Sequence, residues 1–535
     1  MSVDPITVEV IRNALNYALE EAGIALRNSA YSHNIKERMD HSCAIFDPFG
    51  NLLAQAEHIP VHLGSLPWGA KNVLRYLKEN EIEWNKGDMV IANDPYIVGT
   101  HLNDVTIIKP IFFGQKVIGF SINKAHHVDV GGQKPGSISS DATSLYQEGV
   151  VMAPVKLIKQ DEMDKDLLKD FLSKVRDPKI TKGDLRAQIA AANLSEKRVI
   201  ELAKRYGIDI LFSTFKELIS YGEGRMREKL KAIPGGIYRA EDCLEEIERG
   251  TKSTDNLTWI RVTLDRDEGG ISVNFTGTDS QVETPFNAVF GVSLSSTYFA
   301  VKSIIDPEAP VNEGSLKPIK VFAPKGCLVN PKKPAPVSGG NLETSQRIAD
   351  VVFKALSQAL PRLVPAACHG SMNNVIVGGF DPDKNKKWVF YETIGGGSGG
   401  RPGRDGVDGI QCNMTNTMNT PIEAIEQYYP MLFEKYGLSA KTGGEGKWHG
   451  GCGIKRSWAL TSPSAELTVL GDRHRIGPWG VFGGRPGGLG TYQIQRSGGR
   501  KEKIKSKATL TLKKGDTIII ETPGGGGYGN FGDRD

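Results

Sequence analysis

Beyond Gly395 the chain is punctuated by four glycine-dense stretches, GGGSGGRPGRDGVDG, TGGEGKWHGGCG, GVFGGRPGGLG and TPGGGGYG. A residue without a side chain loses the most backbone freedom on folding and gives nothing to a core, so no helix is expected to run through them. Strand-like runs such as AELTVLG and DTIIIET lie between the stretches, and glycine's tolerance of positive φ makes tight loops the expected outcome. Their spacing has no fixed period, which argues against a solenoid or propeller. The whole chain carries 62 glycines in 535 residues, about 12%. Globular chains average about 7%.

At 535 residues the chain is also too long for one core, since single cores stop growing at roughly 250–300 residues. The expected class is α+β and multidomain, with strand-rich N- and C-terminal regions and a helical segment near 161–232. The boundaries fall at 1–233, 234–335 and 336–535, the first of them at Pro234-Gly235-Gly236. Helical spacing from Ile6 to Ser29 puts Val10, Leu15, Leu19, Ile24 and Leu26 toward a core. CAIFD-PFG-NLLAQ reads as a hairpin, and LTWIRVTL and ISVNFTG flank DRDEGG as another. Asp184 is placed to cap a helix carrying Leu185, Ile189, Ala192, Val199 and Leu202 that ends at Gly207. A further helix begins near Leu342, with Ile348, Val351, Val352, Leu356 and Leu360 on one face.

The 66 Lys+Arg nearly balance 62 Asp+Glu, which argues against a nucleic-acid or membrane-surface partner. The first residues are acidic where a signal peptide is basic, and no window approaches eighteen uninterrupted apolar residues, so the expected location is cytoplasmic. Six cysteines without a CxxC pair fit reduced thiols better than a disulfide framework or a cysteine zinc site.

Seven of the ten histidines, His33, His41, His58, His62, His101, His126 and His127, precede residue 128, so imidazole chemistry is sought there. VTIIKPIFF and KVIGFSIN read as an antiparallel hairpin around Gly114-Gln115. If Phe113 pairs with Lys116, Asp104 lies opposite Ala125 and Asn103 opposite His126, so the two histidine clusters meet at the open end of one hairpin. His101 and Asp104, three apart, converge only if THLND is a turn. Two imidazoles and a carboxylate suit zinc, manganese or iron; the same residues can instead cap the hairpin ends through backbone hydrogen bonds. His126 and His127 point to opposite faces of a strand, so only one of them serves as a ligand. In KERMDHS, Glu37, Arg38, Asp40 and His41 offer a further carboxylate ligand or a general base, or form a solvated turn. Glu57, His58 and His62 have the same standing.

Two other motifs lead nowhere. GGSGG around Ser398 matches G-x-S-x-G and follows the strand-like WVFYETI, but a nucleophile elbow needs a helix next, and RPGRDG cannot start one. GEGKW offers Gly446-Lys447 without the serine or threonine of a P-loop.

The segments ERMDHSCAIFD, HIPVHLGSLP, NDPYIVGTHLNDVTIIKP, APVNEGSLKPI, GGNLETSQRIADVVFKAL, GDRHRIGPWGVFGG and TPGGGGYG together resemble the hydantoinase B family. That family includes N-methylhydantoinase beta-type subunits, the C-terminal half of 5-oxoprolinases and acetone carboxylase alpha subunits. The resemblance implies one component of an ATP-dependent cyclic-amide hydrolase in a hetero-oligomer. A hydantoinase A-type partner binds ATP and phosphorylates a carbonyl, and the B-type component completes water attack. It implies metal ligands at His101, Asp104 and His126, with Asp40 as a fourth ligand or as the base that activates water; Glu37 and Glu57 are acids of the same type nearby. Two alternatives accompany this reading: the alpha-type component of a ketone carboxylase, and a non-catalytic scaffold for the ATPase partner.

Overall fold

The structure, a computed structural model, describes residues 3–56, 58–245 and 257–534. It is α+β, with helices in several layers around four sheets among the described residues.

The sheet that carries the histidines has seven strands: β1 (His41–Phe46), β2 (Leu52–Ala56), β3 (Met89–Ala92), β4 (Asp104–Phe113), β5 (Lys116–His126), β6 (Val155–Lys159) and β7 (Glu162–Met163). Their spatial order is β2-β1-β5-β4-β3-β6-β7. Strand alternation sends successive side chains to two different cores, which is why these strands read as continuous apolar runs. Cys43 and Ile45 of β1 pack with the helices Pro5–Ser29 and Pro178–Tyr206; Ala44 and Phe46 pack with the helix His62–Glu79. On the helix Pro5–Ser29 the buried stripe runs through Ile11, Leu15, Ala18, Leu19, Ala22 and Leu26. Val10 and Ile24, expected on that stripe, are exposed, because at 3.6 residues per turn they fall on the side of the helix away from the face that Ile11, Leu15, Ala18, Ala22 and Leu26 share.

The β4–β5 hairpin turns at Gly114-Gln115, with Gly114 at φ +62°, and pairs Phe113 with Lys116. One residue along, the register departs from the expected one. Phe112 pairs with Val117 but Ile111 pairs with Gly119, so Ile118 is an extra residue. A bulge of this kind shifts every later pair by one position. Asp104 therefore faces His126 directly, and Val105, not Asp104, faces Ala125.

The helical segment contains the helices Lys165–Lys174, Pro178–Tyr206 and Ile208–Leu230. Asp177, not Asp184, is the N-cap of the second, accepting from Ile180 N; Pro178 at the first helical position favours that start. Asp184 lies inside the helix and accepts the backbone N–H groups of Tyr31 and Ser32 at 2.7 and 3.0 Å. The strands Leu257–Asp267 and Gly270–Asn274 form the expected hairpin, and the helix Ser345–Ala359 is preceded by a single π turn, Gly340–Thr344.

The glycine-dense stretches are not mainly tight turns. Of their glycines only Gly403, Gly409, Gly483 and Gly529 have positive φ. The others permit backbone to touch backbone. A Cβ on Gly397 would lie 1.8 Å from Gly451 O, on Gly450 1.9 Å from Gly525 O, and on Gly525 1.9 Å from Ser398 O. The stretches bond to one another across this packing, Gly451 N to Ser398 O at 2.8 Å, Gly525 N to Gly451 O at 2.9 Å and Gly400 N to Gly526 O at 2.9 Å.

Candidate functional site

Just before β4, Asp94 caps the short helix Pro95–Val98, which Gly99 ends at φ +88°. The chain then makes a turn closed by Asp104 N to His101 O at 3.1 Å. That turn brings together side chains a strand would separate: His101 Nδ1 lies 3.2 Å from Asp104 Oδ2. His126 ends β5, and its Nδ1 lies 3.2 Å from His101 Nε2 and 3.6 Å from Asp104 Oδ1. One ligand atom from each of His101, Asp104 and His126 falls within 4.8 Å of the others.

Asp40 arrives from the neighbouring strand. Its carbonyl accepts His126 N at 3.0 Å, extending the β1–β5 ladder by one residue, and its Oδ2 stands 3.7 Å from His126 Nδ1. Behind it, Arg38 is fully buried and donates to Asn34 Oδ1, Tyr391 O, Thr393 Oγ1 and Thr417 Oγ1. The Tyr391 ring stacks on His126 at 5.0 Å, and the Arg38 guanidinium lies 4.6 Å from the same ring. The C-terminal region thus supplies one wall of a site whose polar groups come from the first quarter of the chain.

His62, offered above with Glu57 and His58 as a ligand or base or else part of a solvated turn, lies at the cluster. At the start of its helix it holds Ser42 Oγ through Nδ1 at 2.9 Å and turns Nε2 to within 3.5 Å of Asp104 Oδ2. HIPVHLGS was visible as a motif, but nothing in its spacing shows that β1 and β5 bring Asp104 to it. Tyr391, 265 positions after His126, has no local signal at all.

Other candidates fall away from the cluster. His127 bonds Gln188 Oε1 at 2.9 Å through Nε2. Glu37 follows the short helix His33–Lys36 and borders a surface cleft of about 340 Å³ with His33, Asp177 and Tyr428; among the described residues no hydrogen bond or ion pair joins its carboxylate to the cluster. The offered role of Glu37 as a catalytic acid or base therefore finds no geometry, because the helix end turns it toward that cleft. The His58 and His41 rings lie 4.8 Å apart, tilted by 45°, with His58 Nε2 3.5 Å from Glu20 Oε2. Glu57 lies outside the described residues. Ser398 Oγ accepts Val407 N at 2.7 Å and no helix follows it, so no nucleophile elbow forms.

Burial sets the charges. It would raise the Asp104 carboxyl, but the imidazoles of His101 and His62 override it and hold the group well below the usual carboxylate range. Burial pushes Asp40 up to about 6, against the pull of Arg38 and with the help of Asp104's charge. His126 is held neutral by burial and by His101. Lys124, buried and donating to Val98 O and Thr100 Oγ1, is brought down to about 8 by burial, against Asp104.

The donor set fits a divalent transition metal. His62 Nε2, His101 Nδ1 and Asp104 Oδ2 are buried and make no hydrogen bond among the described residues, although buried polar atoms are nearly always paired, and His126 turns Nδ1 toward the same carboxylate. Imidazole nitrogens converging on an ionised carboxylate are what zinc, manganese or iron bind.

A family model described as hydantoinase B/oxoprolinase matches residues 4–531. The chain is 50% identical to an uncharacterized protein of Methanocaldococcus jannaschii, over 100% of this chain and 92% of that one. It is 34% identical to the B-type chain of a putative D-/L-hydantoinase of a Pseudomonas species, over 99% of this chain and 90% of that one. Of the 5-oxoprolinase of Arabidopsis thaliana, 32% identical, it spans 42%. The crystal structure of ATP-dependent caprolactamase from Pseudomonas jessenii superposes with a TM-score of 0.92 at 30% identity, covering 100% of this chain and 93% of that one. Nucleotide-free acetone carboxylase gives 0.92 at 19% identity, over 99% of this chain and 76% of that one, a likeness of fold alone. Among the described residues no helix is long and apolar enough to cross a membrane.

Proposed function

The chain belongs to the hydantoinase B/oxoprolinase family, and on that premise we propose that it is the B-type component of an ATP-dependent cyclic-amide hydrolase. Its A-type partner phosphorylates the amide oxygen, and this chain completes hydrolysis. The observation that carries the reading is the convergence of His101, Asp104 and His126, with Asp40 beside His126, in a buried cluster. Relatives named as the B-type chain of a hydantoinase and the beta chain of caprolactamase support the division of labour. A B-type role also accounts for a chain without a P-loop sequence.

An amide carbonyl resists water because nitrogen donates electron density into it; O-phosphorylation removes that donation and supplies a leaving group. His101, Asp104 and His126 would hold a zinc, manganese or iron ion, which supplies Lewis-acid polarisation there. Asp40 is assigned as the base that takes the proton of the attacking water. Among the described residues its one ion pair to the cluster is to His126 Nδ1 at 3.7 Å, and it stands outside the close grouping of the other three. Arg38 positions Asp40's segment against the strand Lys386–Thr393, and the Tyr391 face keeps water from the far side of His126.

The test is reconstitution with the co-purified partner. Expected in His101→Ala are loss of bound metal and loss of ATP-dependent turnover of a panel of hydantoins and lactams, with the complex still assembled. Turnover unchanged by that substitution would show a scaffold instead. Consumption of ketone and bicarbonate with no amide cleavage would show a carboxylase.

A further inference from the structure

Two thiols and an imidazole meet at a second place. Cys368 and His369 lie on the approach to the strand Asn374–Asp381, and Cys412 lies in the loop that follows the first glycine-dense stretch. Their ligand atoms fall within 4.8 Å of one another. His369 is wholly buried, yet among the described residues neither ring nitrogen makes a hydrogen bond of ordinary geometry, the Cys412 thiol being the group beside it. Such a group nearly always has one. Both cysteines are free thiols; Cys368 Sγ has a long contact to Asp350 Oδ1 and Cys412 Sγ one to Ile410 O, each 3.9 Å. On the open side is a cavity of about 350 Å³ bordered by Cys368, Cys412, Asn413, Trp479, Arg401 and Arg404.

We propose that Cys368, His369 and Cys412 form a site for zinc or another thiophilic divalent metal, with one coordination position open to the neighbouring cavity. Ligands of a tetrahedral ion, at about 2.3 Å for sulfur and 2.0 Å for nitrogen, stand roughly 3.5–4 Å from one another, so the grouping needs only small rotations to close. Two sulfurs and one nitrogen make a softer set than the His101 cluster, so the two sites differ in the metals they select. The open position faces the guanidinium-bearing Arg401 and Arg404, which suits an anionic or thiolate fourth ligand. Ligation would also tie down the loop that reaches the first site. Gln411 Nε2 bonds Thr393 O, Thr417 Oγ1 accepts from Arg38, and Met418 N bonds Arg38 O. Sequence spacing could not show this site, since 42 residues and a strand hairpin separate Cys412 from its partners.

The experiment uses the full-length chain and Co²⁺ and Zn²⁺ as probes. Wild type titrated with Co²⁺ is expected to show thiolate-to-cobalt charge-transfer absorption, retained in His101→Ala and lost in Cys412→Ser and Cys368→Ser. Zn²⁺ is expected to slow iodoacetamide alkylation of Cys412 by about tenfold or more, because a ligated thiolate is no longer a free nucleophile, while Cys452, half-buried elsewhere, reacts as before. These wild-type measurements stand whether or not the serine variants fold. The proposal is overturned by an absent charge-transfer band in folded wild type, by zinc-independent alkylation of Cys412, or by recovery of Cys368 and Cys412 joined as a disulfide.

Discussion

At the scale of residues, two carboxylates flank one imidazole in unequal circumstances. Asp104 pairs with His62, His101 and His126, while among the described residues Asp40 pairs with His126 alone, at 3.7 Å. Asp40 is also the most accessible of these five polar groups, at 8% against 0–2% for the others. A ligand must face the ion; a base must face the water. Asp40→Asn is accordingly expected to lower turnover by about 10²-fold or more while bound metal, measured by elemental analysis, stays near the wild-type ratio. Loss of metal in that variant would instead make Asp40 a ligand. Asp104→Asn is expected to lose both, since it weakens the one carboxylate to which three imidazoles turn.

At the scale of elements, the π turn Gly340–Thr344 fixes Glu343 in the interior, where Oε1 accepts Met372 N at 3.0 Å and Asn374 Nδ2 at 2.8 Å and Oε2 makes no hydrogen bond among the described residues. Burial, with Asp472's charge, raises this carboxyl to about 7 from an ordinary value of 4.5. A raised acid binds its proton more tightly in the folded state. Its contribution to stability is therefore complete below pH 4.5 and is lost as the pH rises through about 7. Glu343→Gln, which keeps the uncharged shape, is expected to gain stability relative to wild type between pH 5 and pH 8, read from denaturation midpoints across that range. A difference that did not grow with pH would show that Glu343 ionises normally. The β4–β5 bulge acts at the same scale: one extra residue, Ile118, converts a diagonal Asp104–His126 neighbour into a facing pair.

At the scale of the whole molecule, the glycine-dense stretches knit the C-terminal region together through backbone contacts. Gly397→Ala is expected to destabilise the protein by about 4 kcal/mol or more, since the new methyl would sit 1.8 Å from a carbonyl oxygen and the backbone must separate. Gly498→Ala, with nothing within 4 Å, is expected to change stability by less than about 0.5 kcal/mol. Thermal unfolding of the two variants separates close packing from loop flexibility as the reason for the glycines. The same region presses Tyr391 against His126 and Thr393 against Arg38, so a loosened C-terminal half should also weaken metal retention.

Local chemistry settled a good deal in advance. Apolar periodicity marked the helix at Pro5–Ser29 and the strands β4 and β5, Gly114-Gln115 marked their turn, and the broken pattern of THLND marked the turn that lets His101 meet Asp104. These depend on neighbours within a few positions, where sequence and geometry are tied directly. The Ile118 bulge, the placing of Asp184 against Tyr31 and Ser32, and the choice of Val10 and Ile24 as surface residues depended on which elements pack together. So did the roles of His62 and Tyr391 and the meeting of Cys368, His369 and Cys412. Even the glycines, read as freedom to turn, proved to be room for one backbone against another. Close approach between residues far apart in the chain leaves no periodic trace, because it is selected by the shape of both partners at once and not by either one alone.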